Sequence, residues 1–115
     1  MLDLKELYWL AGLIEGEGCF LLDKRSNSCL RFSMAMTDKS VLKHAQKIIN
    51  LGFIKGPYWA KMSTKPYWYW RIDKDKDVAA LMMTIYPLMW NDRQEKIEDL
   101  LEIWRSRPKV DHRNG

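Results

Sequence analysis

The residues that define many specialised chemistries are scarce in this chain. There are two cysteines in 115 residues, Cys19 and Cys29. They fall in two apolar stretches that read as a hairpin turning near Asn27. In that register Cys19 pairs near Ala35, which leaves the sulfurs too far apart for a bridge. A disulfide scaffold is therefore excluded, and both cysteines read as reduced, buried, small hydrophobes. Histidine is equally sparse. His44 and His112 are too few and too far apart for a zinc site, and both read as surface residues. No run of about 18 apolar residues and no signal peptide is present, so the expectation is a soluble intracellular protein, cytoplasmic or nucleoid-associated, with no membrane partner. P-loop, Gly-x-Ser-x-Gly and Cys-x-x-Cys patterns are also missing, and no small-molecule substrate is expected.

Aromatic residues, by contrast, are plentiful: six Trp, five Tyr and three Phe. With 47% hydrophobic and 30% charged residues, this is the mixture of one globular domain with one core, placed at residues 1–105, followed by a polar tail at 106–115. The formal net charge of +4 favours a polyanionic partner, but charge alone does not choose between DNA, RNA and acidic lipid.

Apolar spacing orders the elements. Leu4, Leu7, Tyr8, Ala11 and Ile14 recur at three and four residues and predict a first helix, capped by Asp3 with Glu6 completing a capping box. That helix should stop near Gly16 to Gly18, with Gly18 supplying a left-handed turn. Cys19 to Lys24 and Cys29 to Met36 read as antiparallel strands. A second helix follows, capped by Thr37 or Asp38, with Val41, Leu42, Ala45, Ile48 and Ile49 inward, and ends at Gly52. Phe53 to Ala60 and Pro66 to Ile72 form a second pair of strands, where Gly56 and Pro57 suggest a bulge or an edge. Asp75 or Asp77 opens a third helix, interrupted at Pro87, and a last helix follows Asn91. The result is an α+β layout with one four-stranded sheet covered by helices on a single face.

The other face has no helix left to cover it. Strand alternation points Asp23, Arg25, Arg31 and Ser33 outward in the first pair, and Lys55, Trp59, Lys61 and Arg71 in the second. The parity of Tyr67-Trp68-Tyr69-Trp70 stays open at this point. A basic, aromatic, antiparallel surface suits the major groove of DNA, which admits a β-ribbon and presents a distinct donor and acceptor pattern for each base pair. The same cations also suit phosphate contacts.

The segment Leu10-Ala11-Gly12-Leu13-Ile14-Glu15-Gly16-Glu17-Gly18 resembles the LAGLIDADG signature of homing endonucleases, with Glu at both acidic positions. The resemblance extends over about residues 4–104 through the element order and the spacing to Met36-Thr37-Asp38 and Tyr86-Pro87-Leu88. It implies an αββαββα fold with a saddle-shaped antiparallel sheet, helices on one face and DNA on the other. Physically, Gly12 and Gly16 lie four apart on one helical face, where missing side chains let a second helix approach closely. Leu10, Gly12, Leu13 and Gly16 are the expected dimer contacts. One motif copy per chain then implies a homodimer, whose two-fold symmetry predicts a pseudo-palindromic double-stranded target.

The resemblance also implies the chemistry. Glu17, with the carbonyl of Gly16, is the expected ligand for Mg²⁺, for which Mn²⁺ substitutes, and the expected reaction is phosphodiester hydrolysis on both strands, in the service of intron or intein mobility. Asp38 occupies the position of a water-ordering residue but equally suits a helix cap. The family's basic residue after the third-helix proline corresponds to Asp92, and Arg93, one position later, is the substitute. That departure keeps open an alternative: a cleavage-inactive DNA-binding regulator or an RNA-splicing maturase on the same scaffold.

Overall fold

The computed structural model describes residues 2–26 and 29–106; the turn at Asn27, His112 and the rest of the tail beyond Ser106 lie outside them. Helix α1 spans Leu4–Glu17. It begins where expected, because the Asp3 carboxylate accepts the backbone N–H groups of Lys5 (2.8 Å) and Glu6 (3.4 Å), two donors with no partner inside the helix. Glu6 turns to His44 at 3.6 Å instead of closing a capping box. The buried stripe is Leu10, Ala11 and Ile14 with Leu7 half-buried, while Leu4 and Tyr8, which share the helical spacing, are 60% and 54% exposed. The stripe is thus rotated towards Leu10. Gly18 ends the helix in an extended conformation (φ −78°, ψ 152°), not the expected left-handed one. Glycine is required there by crowding, since a Cβ would sit 2.9 Å from the Ile14 side chain and 3.1 Å from the Phe32 ring.

Strand β1 (Cys19–Asp23) leads through a short 3-10 turn at Lys24–Ser26 into β2 (Cys29–Met36). Cys19 pairs with Ser33, two residues from the expected Ala35. A slip of two keeps every side chain on its face, so the assignment of faces survives the error. The cysteines are unbridged, as expected, but neither is buried: Cys19 is exposed and Cys29 half-buried. Helix α2 (Lys39–Ile49) is capped by Asp38 and ends at Asn50, which takes a left-handed turn (φ 55°) two residues before the expected end at Gly52.

Strands β3 (Phe53–Trp59) and β4 (Pro66–Ile72) complete an antiparallel sheet in the order β1-β2-β4-β3. Helix α3 covers Asp75–Ile85, a 3-10 turn at Tyr86–Leu88 marks Pro87, and α4 runs from Asn91 to Ser106. Asp75 does not cap α3; its carboxylate accepts the N–H of Leu30 at 2.6 Å and so ties α3 to β2.

The core lies between the helices and one sheet face. Phe20, Phe32 and Trp70 pack in a row along the sheet, the first pair tilted with centroids 5.0 Å apart and the second edge to face at 4.9 Å, and meet Leu10, Ile14, Leu42, Leu81, Met82, Ile85 and Ile97 from the helices. Trp70 is fully buried, and its indole N–H donates to the carbonyl of Leu51 at 2.9 Å, which removes the cost of burying that donor. No helix among the described residues is long and apolar enough to cross a membrane.

Candidate functional site

Because Phe20, Leu30, Phe32, Met34, Trp70 and Ile72 face the helices, alternation puts Leu21, Asp23, Arg31, Ser33, Ala35, Tyr67, Tyr69 and Arg71 on the open face. The parity left open in the sequence is thereby resolved: Tyr67 and Tyr69 outward, Trp68 and Trp70 inward. Lys55 pairs with Tyr69 and shares its face. Arg25 stands at the rim beyond β1, its side chain 94% exposed, and Lys61 is exposed in the β3–β4 connection.

Trp59 is placed differently from the expectation. The β3–β4 register shifts between Lys55 and Tyr58, so that one extra residue of β3 is accommodated at Gly56-Pro57. The bulge moves Tyr58 onto the open face opposite Tyr67 and leaves Trp59 opposite Pro66, on the parity of Trp68 and Trp70. Simple alternation from Lys55 misses this, although the Gly-Pro pair marks the place. Gly56 permits the bulge, with φ 142° and Trp68 so close that a Cβ would lie 2.5 Å from its ring.

The open face is not simply basic. Arg71 donates to Asp73 at 3.0 Å, and Arg31 lies 3.7 Å from the same carboxylate oxygen and 3.9 Å from Asp23. Tyr58 and Tyr69 stack at 5.1 Å with rings 13° apart and share a hydrogen bond of 3.2 Å between hydroxyls. That shared bond pushes the Tyr58 hydroxyl up and holds Tyr69 below the ordinary tyrosine range, with Arg71 adding to the second effect. Partial burial pulls the Arg71 guanidinium down, but Asp73 and Tyr69 outweigh it and raise it. Asp73 and the three tyrosines were not among the sequence candidates. Asp73 lies just past the strand, and the tyrosines needed the parity and the bulge. Together, Leu21, Asp23, Arg31, Ser33, Tyr69 and Arg71 help line a shallow concavity of about 690 Å³.

At the tip of α1 the two motif acids have separate fates. Glu15 is internal: its carboxylate accepts from Arg93 Nε at 3.2 Å and from the Trp90 N–H at 2.9 Å. Arg93 also donates to the carbonyls of Glu15 (2.9 Å) and Gly18 (2.8 Å), and the Gly18 N–H satisfies Ile14. Glu17 is exposed, and neither its carboxylate nor the carbonyl of Gly16 has a hydrogen-bond or ion-pair partner among the described residues. The expected metal ligands are therefore the groups left free. Asp92 is exposed in the first turn of α4, and Arg93 is brought to the end of the motif helix with three N–H groups committed there. Asp38 caps α2, one carboxylate oxygen accepting Ser40 Oγ (2.6 Å) and the N–H groups of Ser40 (3.0 Å) and Val41 (3.3 Å). No group of three or more His, Cys, Asp or Glu side chains among the described residues is placed to hold a metal ion.

The outer face of α1 is bare at its glycines. A Cβ at Gly12 or Gly16 would meet nothing within 4 Å. Trp9 flanks them, 41% exposed, its ring edge-on to His44 at 4.9 Å. Leu13 is half-buried, but Leu10, expected at the dimer contact, is fully enclosed in the chain's own core and has no surface to offer.

The sequence matches no protein-family model and none of the curated proteins. The architecture does match solved structures. Similar to it are the homing endonuclease I-CvuI in complex with the I-CreI target in the presence of Mg, with the DNA not cleaved (TM-score 0.67, 14% identity), the group I intron-encoded I-CeuI complexed with DNA (0.65, 18%) and the archaeal intron-encoded I-Vdi141I complexed with DNA (0.63, 19%). The matches cover 88%, 91% and 90% of this chain, which spans 66%, 57% and 68% of those chains. This chain has the LAGLIDADG homing-endonuclease fold.

Proposed function

We propose that this chain acts as a homodimeric, sequence-specific double-stranded DNA endonuclease of the homing type, assisted by a divalent metal ion. The observation that carries the reading is the tip of α1, where Glu17 and the Gly16 carbonyl have no partner among the described residues and stand beside an outer helix face that has no side chains at Gly12 and Gly16. Two copies packed through that face bring two Glu17 carboxylates together at the axis. Like charges that close repel, and an intervening cation relieves the repulsion.

The donors fit such an ion in kind. Carboxylate and carbonyl oxygens are the ligands that hard divalent cations take, with water and phosphate oxygens completing the shell. One chain supplies too few of them, so the site depends on the second copy. When bound, the ion supplies charge neutralisation at the phosphodiester and a more acidic water. The chain's own residues do the remainder: Glu17 and Gly16 hold the site at the axis, Arg93 and Glu15 fix the helix end that carries it, and each sheet grips one half-site of a pseudo-palindrome. Lys55, Lys61 and Arg25 suit phosphates, where a mobile cation is sufficient.

The test is selection of cleaved sites from a random double-stranded library with Mg²⁺ or Mn²⁺. Double-strand cuts at a pseudo-palindromic site are expected, abolished by EDTA and by Glu17→Gln. A folded, dimeric Glu17→Gln protein that still cuts overturns the mechanism.

A second reading has its own observation. Asp92 stands exposed where a basic residue is expected, and Arg93 spends three of its N–H groups inside the chain. This favours a scaffold that binds without cutting, as a DNA-binding regulator or an RNA-splicing maturase. Specific, salt-dependent DNA binding without cleavage in either metal supports the regulator, and preference for structured intron RNA supports the maturase.

A further inference from the structure

The two arginines on the open face are in different states, and the difference separates an anchor from a reader. Arg31 is tied down. Its Nη1 donates to the carbonyls of Leu30 (3.1 Å) and Asp73 (2.7 Å), its Nε lies 3.7 Å from the Asp73 carboxylate, and its side chain is 19% exposed. Arg71 makes one short contact to Asp73, through Nη2 at 3.0 Å, and its side chain is 41% exposed. Its guanidinium lies 5.7 Å from the centre of the Tyr69 ring, and Tyr69 is itself fixed by the stack and hydrogen bond with Tyr58.

We propose that Arg71 reads one guanine in each half-site, and that Asp73, its charge shared with Arg31, is the positioning residue that aims the guanidinium. The assignment rests on the sheet being the DNA-facing surface. Arg71 lies on β4, an inner strand of the sheet, directly across from Ser33 on β2, with Ala35 and Leu21 also lining the concavity. These three neighbours are short or apolar, and the Asp23 carboxylate in the same lining is already shared by Arg25 at 3.6 Å and Arg31 at 3.9 Å. A guanidinium offers paired N–H donors in a rigid plane, which match the O6 and N7 acceptors of guanine in the major groove. Because Asp73 and Tyr69 already restrict the side chain, much of the rotamer freedom that a free arginine loses on binding is lost beforehand. A long cation without such support, such as Lys55 over the Phe53 ring, suits a phosphate, which accepts many geometries.

Random double-stranded oligonucleotides, selected by binding to the wild-type dimer in Ca²⁺, reveal the preferred site. Arg71→Ala is expected to lose the guanine preference at one symmetric pair of positions and, because both copies of the contact go, to weaken the best site between about 30- and 20,000-fold. Arg71→Lys does not restore the preference, because lysine lacks the fork. Asp73→Asn weakens preference at the same pair of positions while leaving the salt dependence of binding in place. A folded, dimeric Arg71→Ala protein that keeps every base preference, or that binds all sequences uniformly less well with a shallower salt slope, overturns the assignment and makes Arg71 a phosphate contact. A wild-type protein that enriches no sequence overturns the DNA-reading function itself, and this assignment with it.

Discussion

The Glu15 carboxylate is held by Arg93, 78 residues along the chain, through a 3.2 Å ion pair that closes the start of α4 onto the end of α1. The same guanidinium covers two carbonyls at that end, a position where a cation also complements the helix dipole. Arg93→Ala removes all three contacts from partly buried groups and is expected to cost about 1–3 kcal/mol. Glu17→Gln, at an exposed carboxylate with no partner among the described residues, should stay within about 0.5 kcal/mol of wild type while abolishing cleavage. Urea denaturation of both variants checks the contrast. Equal stability losses would mean that the two motif acids do not divide their roles in this way.

Asp38 separates a cap from a catalytic helper. Its carboxyl is held below the ordinary aspartate range, first by the Ser40 hydroxyl and then by the Val41 and Ser40 backbone N–H groups. A folded-state value below the unfolded one means that the cap stabilises fully above the unfolded value of about 3.9 and is lost as pH falls through the lowered one. Asn caps nearly as well as Asp without a charge. Asp38→Asn should therefore remove the acid sensitivity of α2 below about pH 4, readable by circular dichroism, and keep thermal stability near wild type, whereas Asp38→Ala lowers it. Loss of cleavage in a stable Asp38→Asn protein indicates that the second carboxylate oxygen orders water.

The element order was legible because helices and strands bury different periods of the sequence. Face assignment held through a wrong register, since Cys19 paired with Ser33 is a slip of two from Ala35. What failed was whatever depended on odd shifts or distant partners. One extra residue at Gly56-Pro57 sent Trp59 to the helix side and brought Tyr58 to the open face. Leu10 looked available for a partner helix because motif position says nothing about which way the stripe turns, and the core claimed it. The pairing of Glu15 with Arg93, and of Arg71 with Asp73 and Arg31, needed the folded geometry.

The bulge makes its own prediction. Gly56 sits at φ 142°, and an added Cβ would lie 2.5 Å from the Trp68 ring. Gly56→Ala therefore combines backbone strain with a clash and should cost about 1–3 kcal/mol. If the bulge is squeezed out instead, alternation carries Tyr58 off the open face and the Tyr58–Tyr69 stack is lost. The check is a denaturation curve together with the tyrosine hydroxyl titration, where loss of the pair returns both groups towards the ordinary value near 10.

Gly12 tests the dimer with little confounding from folding. Within one chain an added Cβ meets nothing within 4 Å and Gly12 is exposed on a helix, so a side chain there starts out into open space. Leucine in place of glycine in a helix interior should stabilise α1 by roughly 0.5–1 kcal/mol. If α1 packs against its counterpart at near backbone contact, the same side chain forces the two helices apart. Gly12→Leu should then be a folded monomer, with a melting temperature that no longer rises with protein concentration. Sedimentation equilibrium measures the oligomeric state directly. A dimer that persists with unchanged affinity places the interface elsewhere, and takes with it the shared Glu17 site at the axis.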